Sequence, residues 1–191
     1  MRLMKINIKE ANDQFIEFEL SDANYEFANA LRRIIMTSIP IFAIDTVTFY
    51  ENSSPMFDEY IAHRIGLIPI KTPKNAKEGE EILFHLEAEG PKTVYSSDLI
   101  STDQEVVVAN QKIPIIKLGE NQRLRLDGKA IIGYAKTHAK FQAAYVTYNA
   151  KDDKTFSFYV ETFGQMKPKD ILVKALDILY DQAAEFAKEL K

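Results

Sequence analysis

From Pro168 nearly to Lys191 apolar residues return with a helical period, and that helix sets what the rest of the chain must provide. Leu172, Leu176, Leu179, Ala183, Phe186 and Leu190 recur at steps of four and three, a heptad-like stripe. Ile171, Ala175 and Ile178 form a second stripe beside it. One stripe suffices to seat a helix on a sheet. Two adjoining stripes make a band wider than one small sheet readily covers. Fully burying a Leu or Phe is worth roughly 1.5–3 kcal/mol, and leaving several wet invites aggregation. Two readings stand: an ordinary core helix, or a helix whose band packs partly on a second chain. Leu172, Leu176, Leu179 and Phe186 are its candidate partner-binding residues.

Strand signals flank this helix and also open the chain. Met4, Ile6 and Ile8 alternate with polar residues, as do Ile16, Phe18 and Leu20, with Asn12-Asp13 between them. This predicts a hairpin with one wet face. Ser21 and Asp22 offer N-cap oxygens for a helix starting near Ala23 or Asn24. Phe27, Leu31, Ile34 and Ile35 share its buried stripe, and Asn29, Arg32, Arg33 and Met36 fall opposite. Pro40 ends that helix. Ile41 to Tyr50 reads as a strand. Ser54-Pro55 predicts a second helix start and Gly66 its end, with Lys71 to Glu81 an exposed loop. Short strands are expected around 82–87, 93–95, 106–109, 113–118 and 123–126, with turn formers such as Asp127-Gly128 between them. Phe156, Phe158 and Val160 alternate as a last half-buried strand.

These elements predict an α+β protein. The two ends, 1–47 and 154–191, make one discontinuous domain of a sheet plus two long helices. Residues 48–153 make a mostly β inserted domain.

Composition excludes several classes. The chain has 191 residues, no cysteine and a formal charge of −4, with a pI near 5.5. Without cysteine there are no disulfides, thiolate zinc sites, iron–sulfur ligands or thiol nucleophiles. The acidic balance argues against a mainly phosphate-binding surface. No apolar run approaches a membrane span or a signal core, so a cytoplasmic protein without membrane attachment is expected. Asn52-Ser53-Ser54 matches a glycosylation sequon, but without a secretion signal it reads as a helix-capping loop.

Candidates for chemistry are sparse. Glu59 and His63, four apart on a predicted helix, share a face and can begin a metal or acid–base site; the plainer reading is an ion pair or hydrogen bond. A zinc site needs more ligands, and His85 and His138 lie in unrelated segments. A small metal-dependent enzyme built on Glu59 and His63 is thus the alternative function. Arg64 and the Gly66-Leu67-Ile68-Pro69 turn suit a contact surface better. Lys136, His138 and Lys140 form an alternating positive row, read either as a solvated strand face or as a site for phosphate or an acidic surface. No phosphate-binding glycine loop, G-x-S-x-G or H-E-x-x-H occurs.

Four segments together carry a resemblance: Asn29-Ala30-Leu31-Arg32-Arg33, Asp58 to Ile70, Thr93 to Leu99, and Gly133 to Phe141. In this order they resemble the D-subunit family of archaeal DNA-directed RNA polymerases. That family is related to the third-largest subunit of eukaryotic RNA polymerase II and, more distantly, to the N-terminal domain of the bacterial α subunit. The resemblance implies a non-catalytic scaffold within a DNA-directed RNA polymerase, the nucleotidyltransferase of transcription. It implies heterodimerisation with subunit L, small subunits N and P as neighbours, and a platform for the large catalytic subunits. DNA would be met only through the assembled enzyme. It also implies that Arg32 and Arg33, with Asn29, face the catalytic subunits, and that His63 and Arg64 lie in a contact segment. One departure stands out. Many members of the family carry a cysteine-rich iron–sulfur region before the final strand; here only a short link, Val146 to Lys154, is expected. No iron–sulfur cluster and no zinc are therefore expected.

Overall fold

The structure is a computed structural model and describes residues 4–190. In chain order its elements are β1 (Lys5–Ala11), β2 (Phe15–Ser21), α1 (Tyr25–Thr37), β3 (Ile41–Asn52), α2 (Asp58–Gly66), β4 (Glu81–Glu89), β5 (Lys92–Tyr95), β6 (Ile100–Ser101), β7 (Pro114–Leu118), β8 (Arg123–Gly133), β9 (Ala144–Asp152), β10 (Thr155–Thr162) and α3 (Pro168–Glu189). Two compact units result, Met1–Pro40 with Tyr134–Lys191, and Ile41–Gly133. The architecture is α+β, with antiparallel sheets in both units. Among the described residues no helix is long and apolar enough to cross a membrane.

The end unit is built on a sheet of order β1-β2-β10-β9. Its central pair joins distant parts of the chain: Ile16 faces Val160, Phe18 faces Phe158, and Leu20 faces Phe156. All six side chains are buried. Phe18 and Phe158 stack with ring centroids 5.0 Å apart and planes 2° apart. On the other side of the sheet, Glu19 of β2 pairs with Lys9 of β1 at 3.3 Å and with Lys151 of β9. The two ammonium groups hold the Glu19 carboxyl below its usual range, Lys151 contributing most. Helix α1 starts where Asn24 Oδ1 accepts from the Phe27 N–H at 2.9 Å. Its cap is thus two or three residues later than Asp22 or Ser21 predicts. Ala28, Leu31, Ile34 and Ile35 are its buried side.

The middle unit has a sheet of order β3-β8-β4-β6 and a separate β5-β7 pair. Helix α2 buries Ile61 and Ile65 among Phe42, Ile44, Phe84 and Leu126. Buried Thr72 accepts from the Phe42 N–H at 3.0 Å, so the loop 71–80 is tied to the core at that point.

Several expectations are corrected. The predicted 47/48 and 153/154 divisions fall at 40/41 and 133/134, because β3 pairs with β8 from its first residue and β9 pairs with β10. Asp127-Gly128 is no turn but lies inside β8: a Cβ on Gly128 would meet Ile44 Cγ2 at 3.1 Å, so the glycine makes room for a core side chain. Ser54 does not cap α2. Its hydroxyl donates to Asn52 Oδ1 at 2.6 Å, and the helix begins at Asp58 after Phe57, which makes no side-chain cap bond. Residues 106–109 contribute one bridge, Ile70 to Val108, rather than a strand. The link from Val146 to Lys154 is mostly strand β9. The row Lys136, His138, Lys140 is no strand face but a turn followed by a short 3-10 segment, Ala139–Phe141.

Gly90 sits where a Cβ would lie 2.0 Å from the carbonyl oxygen of Gly119, a backbone atom that cannot swing away. Gly90→Ala is expected to destabilise the protein by about 1–3 kcal/mol, measured as a lowered urea midpoint at unchanged slope.

Candidate partner-binding surfaces

Helix α3 changes character along its length. Leu172 is buried in the end unit with Ile171 and Ala175, and Leu176, Ile178 and Leu179 are half-buried. Beyond them Tyr180 is 73% exposed, Phe186 68% and Leu190 73%. The second stripe thus seats the helix on β2 and β10, while the outer half of the band is bare. Of the four predicted residues, Leu172 belongs to the core of this chain, Leu176 and Leu179 lie at its margin, and Phe186 is open.

Strand β1 continues the bare face, which the alternation on this strand signalled only as a hairpin. Ile6 pairs opposite Leu20 and Ile8 opposite Phe18, so their side chains share the helix-covered side of the sheet. The helices pack mainly on β2, β10 and β9, and β1 is exposed along its whole length. Met4, Ile6 and Ile8 are each about half exposed, at 49%, 49% and 51%. An edge strand with an uncovered apolar side is a ready surface for another chain.

On α1, Asn29 and Arg33 are exposed and Arg32 half-buried. Arg32 Nη2 donates to Asn29 Oδ1 at 3.1 Å and Nη1 to the Met36 sulfur at 3.3 Å, holding the guanidinium along the helix surface. Further N–H groups of its planar fork remain for an outside acceptor.

On α2, Arg64 is committed to its own unit. Its Nε donates to the carbonyl of Ile115 at 2.8 Å and Nη2 to that of Pro114 at 2.6 Å, clamping the helix to β7. His63 is exposed and lines an open groove of about 540 Å³ with Pro55, Met56, Phe57, Tyr60 and Arg64. Among the described residues no three His, Cys, Asp or Glu side chains gather where they can hold a metal ion.

A polar network outside every sequence expectation crosses β3, β8 and β4. Tyr50 donates its hydroxyl to Asp127 Oδ2 at 2.9 Å, and His85 Nδ1 lies 2.6 Å from Asp127 Oδ1. His85 and Asp127 are direct cross-strand partners, but 42 residues apart in sequence, so only the register reveals them. The His85 contact, then the Tyr50 hydroxyl, holds the Asp127 carboxyl below its usual range against the opposing effect of burial. Asp127 pushes the Tyr50 phenol above its usual range, first because the hydrogen bond it accepts holds the phenolic proton and then because ionising the phenol places two negative charges side by side. A depressed carboxyl stabilises the fold above the unfolded-state value, roughly 3.9, and this contribution is lost as pH falls through the folded-state value. Asp127→Asn should therefore remove that acid-side loss and bring the Tyr50 phenol down toward about 10. The check is the alkaline tyrosinate absorbance titration, differenced against Tyr50→Phe.

The family model of the RNA polymerase Rpb3/Rpb11 dimerisation domain matches residues 17–183. The chain is 49% identical over 189 residues to DNA-directed RNA polymerase subunit Rpo3 of Methanocaldococcus jannaschii, covering 97% of each protein. It is 31% identical to Rpo3 of Halobacterium salinarum over a 240-residue alignment, again covering 97% of each. With Rpo3 of Pyrococcus furiosus it shares 45% identity over 152 residues, 76% of this chain and 58% of that protein. With a domain match across most of its length and a relative this similar from end to end, the chain belongs to the RNA polymerase Rpb3/Rpb11 dimerisation-domain family.

Proposed function

We propose that the chain is a non-catalytic assembly subunit of an archaeal DNA-dependent RNA polymerase, working in the cytoplasm. It heterodimerises with the smaller subunit L, and the pair is the platform for the large catalytic subunits, with small subunits N and P alongside. DNA is met only through the assembled enzyme. The chain holds no iron–sulfur cluster and no zinc; the support is the absence of cysteine.

The observation that carries this reading is the uncovered apolar side of the end unit. Ile6, Ile8, Tyr180, Phe186 and Leu190 are large, exposed and on the elements that border the helix-covered side of the sheet. Burial is worth roughly 25 cal/mol per Å² of apolar surface, and a stable interface buries about 1,200–2,000 Å². A second chain laid across β1 and the outer half of α3 completes the missing layer. The description of the matching domain and the relatives' names support a partner within an RNA polymerase.

Co-expression with subunit L should yield a 1:1 species by sedimentation. Ile8→Asp and Phe186→Asp each place a carboxylate where the partner's apolar surface is expected. Both should weaken pairing by at least about 2 kcal/mol while barely moving the melting temperature of the unpaired chain, since both sites are already exposed. Pairing unaffected by either variant would rule this surface out.

A further inference from the structure

The side of the end sheet away from the helices is divided along its strands. At one end Glu19 stands between Lys9 and Lys151, so its charge is met from both neighbouring directions. The other end is built differently. Glu10 of β1 is the direct cross-strand partner of Glu17 of β2, Glu17 of Tyr159 of β10, and Tyr159 of Thr147 of β9. In the next row Phe15 faces Glu161, and Glu161 faces Tyr145. The two rows interleave aromatic rings with glutamates and contain no lysine or arginine.

Like charges placed directly opposite each other destabilise a sheet. Among the described residues no ion pair joins Glu10, Glu17 or Glu161 to a basic side chain. The Tyr159 hydroxyl donates to Glu161 Oε2 at 3.1 Å. Desolvation first, then that bond and the charges of Glu161, Glu17 and Glu10, hold the Tyr159 phenol above its usual range. All three carboxylates therefore act on one spot. Beside it Phe15 and Tyr159 stack with ring centroids 5.4 Å apart and planes 30° apart. Both rings are half-buried, while Tyr145, Glu10 and Glu161 are exposed. The core of the unit, around Ile16, Phe18, Phe158 and Val160, is on the opposite side of the sheet, so these rows seat no helix.

We infer that Phe15, Tyr145 and Tyr159, with Glu10, Glu17 and Glu161, form a docking face for an arginine-bearing segment of another polypeptide. A guanidinium lies flat on an aromatic ring, and its planar fork donates to carboxylates in pairs. A lysine ammonium is a point charge without the stacking plane. A metal ion fits less well, since no three metal-binding side chains gather among the described residues. A nucleic-acid backbone is repelled by the carboxylates. The face lies opposite the proposed pairing surface and does not rest on the assembly role.

The test titrates the pair of this chain with subunit L into a fluorescently labelled peptide of alternating arginine and glycine, followed by anisotropy. A lysine–glycine peptide of the same length is the comparison. The arginine peptide should bind more tightly. Glu17→Gln should weaken its binding about tenfold without lowering the melting temperature, because it removes a like-charge neighbour. Tyr145→Ser should reduce the preference for arginine over lysine. Glu120→Gln, which removes a charge from the middle unit, should change nothing. Equal binding of both peptides that Glu17→Gln leaves intact overturns the inference in favour of general attraction to an acidic protein. A melting temperature lowered by Glu17→Gln makes the carboxylate structural and overturns it too. Magnesium ions that displace the peptide and lose their own binding in Glu17→Gln point instead to a metal. Self-association abolished by Glu17→Gln points instead to a second copy of the chain. The same titration on the unpaired chain separates failure of this inference from failure of the pairing.

Discussion

The pairing of β2 with β10 is the contact on which the rest depends. Phe18 and Phe158 are direct cross-strand neighbours although about 140 residues of sequence separate them. Between these strands α1 and β9 stay with the end unit, whereas Ile41–Gly133 departs and returns and folds as its own body. It does so on a second sheet with its own core around Ile61, Ile65, Phe84 and Leu126. Closing so long a loop is entropically costly, but the cost grows only slowly with length. The stacked and buried side chains along β2 and β10 are what offset it.

That same sheet leaves part of the end unit's apolar side uncovered. Two helices pack mainly on three of its four strands, and β1 is exposed with Ile6 and Ile8 on the covered side. Helix α3 outruns the sheet and carries Phe186 and Leu190 into solvent. A chain that is to be half of a pair needs this arrangement: enough core to fold, and an apolar remainder that only a second chain can cover. On the opposite side of the sheet, the Lys9–Glu19–Lys151 group places charge on both outer strands. Lysines on edge strands also discourage unwanted strand pairing.

The sequence shows the periodic elements well. The two stripes of α3, the buried row of α1 and the alternation of β2 and β10 are local patterns, and they survive into the structure. What escapes is set by distant partners. Asp127-Gly128 has the composition of a turn, but Gly128 is needed beneath Ile44 and Asp127 is claimed by His85 and Tyr50. Ser54 looks like a cap until Asn52 takes its hydroxyl. Arg64 reads as part of a contact surface, yet its acceptors, the carbonyls of Pro114 and Ile115, come from a strand of its own chain some fifty residues on. Among the candidate site residues, Asn29 and Arg33 are exposed as a helical wheel suggests, whereas of the apolar stripe on α3 Leu172 is core and Phe186 is open. The half-exposed side of β1 has no signal of its own, because alternation cannot tell whether a helix lies over it.

If β1 and the outer half of α3 are the surface a second chain covers, their backbone must become harder to open once that chain is bound. Amide hydrogen exchange of this protein, alone and bound to subunit L, reads this directly, because exchange reports local opening segment by segment. Added protection is expected at residues 5–11 and 176–190, with β3, β4 and β8 unchanged. Protection gained only in 41–133, or no change at β1 and α3 in a complex that has formed, would contradict it.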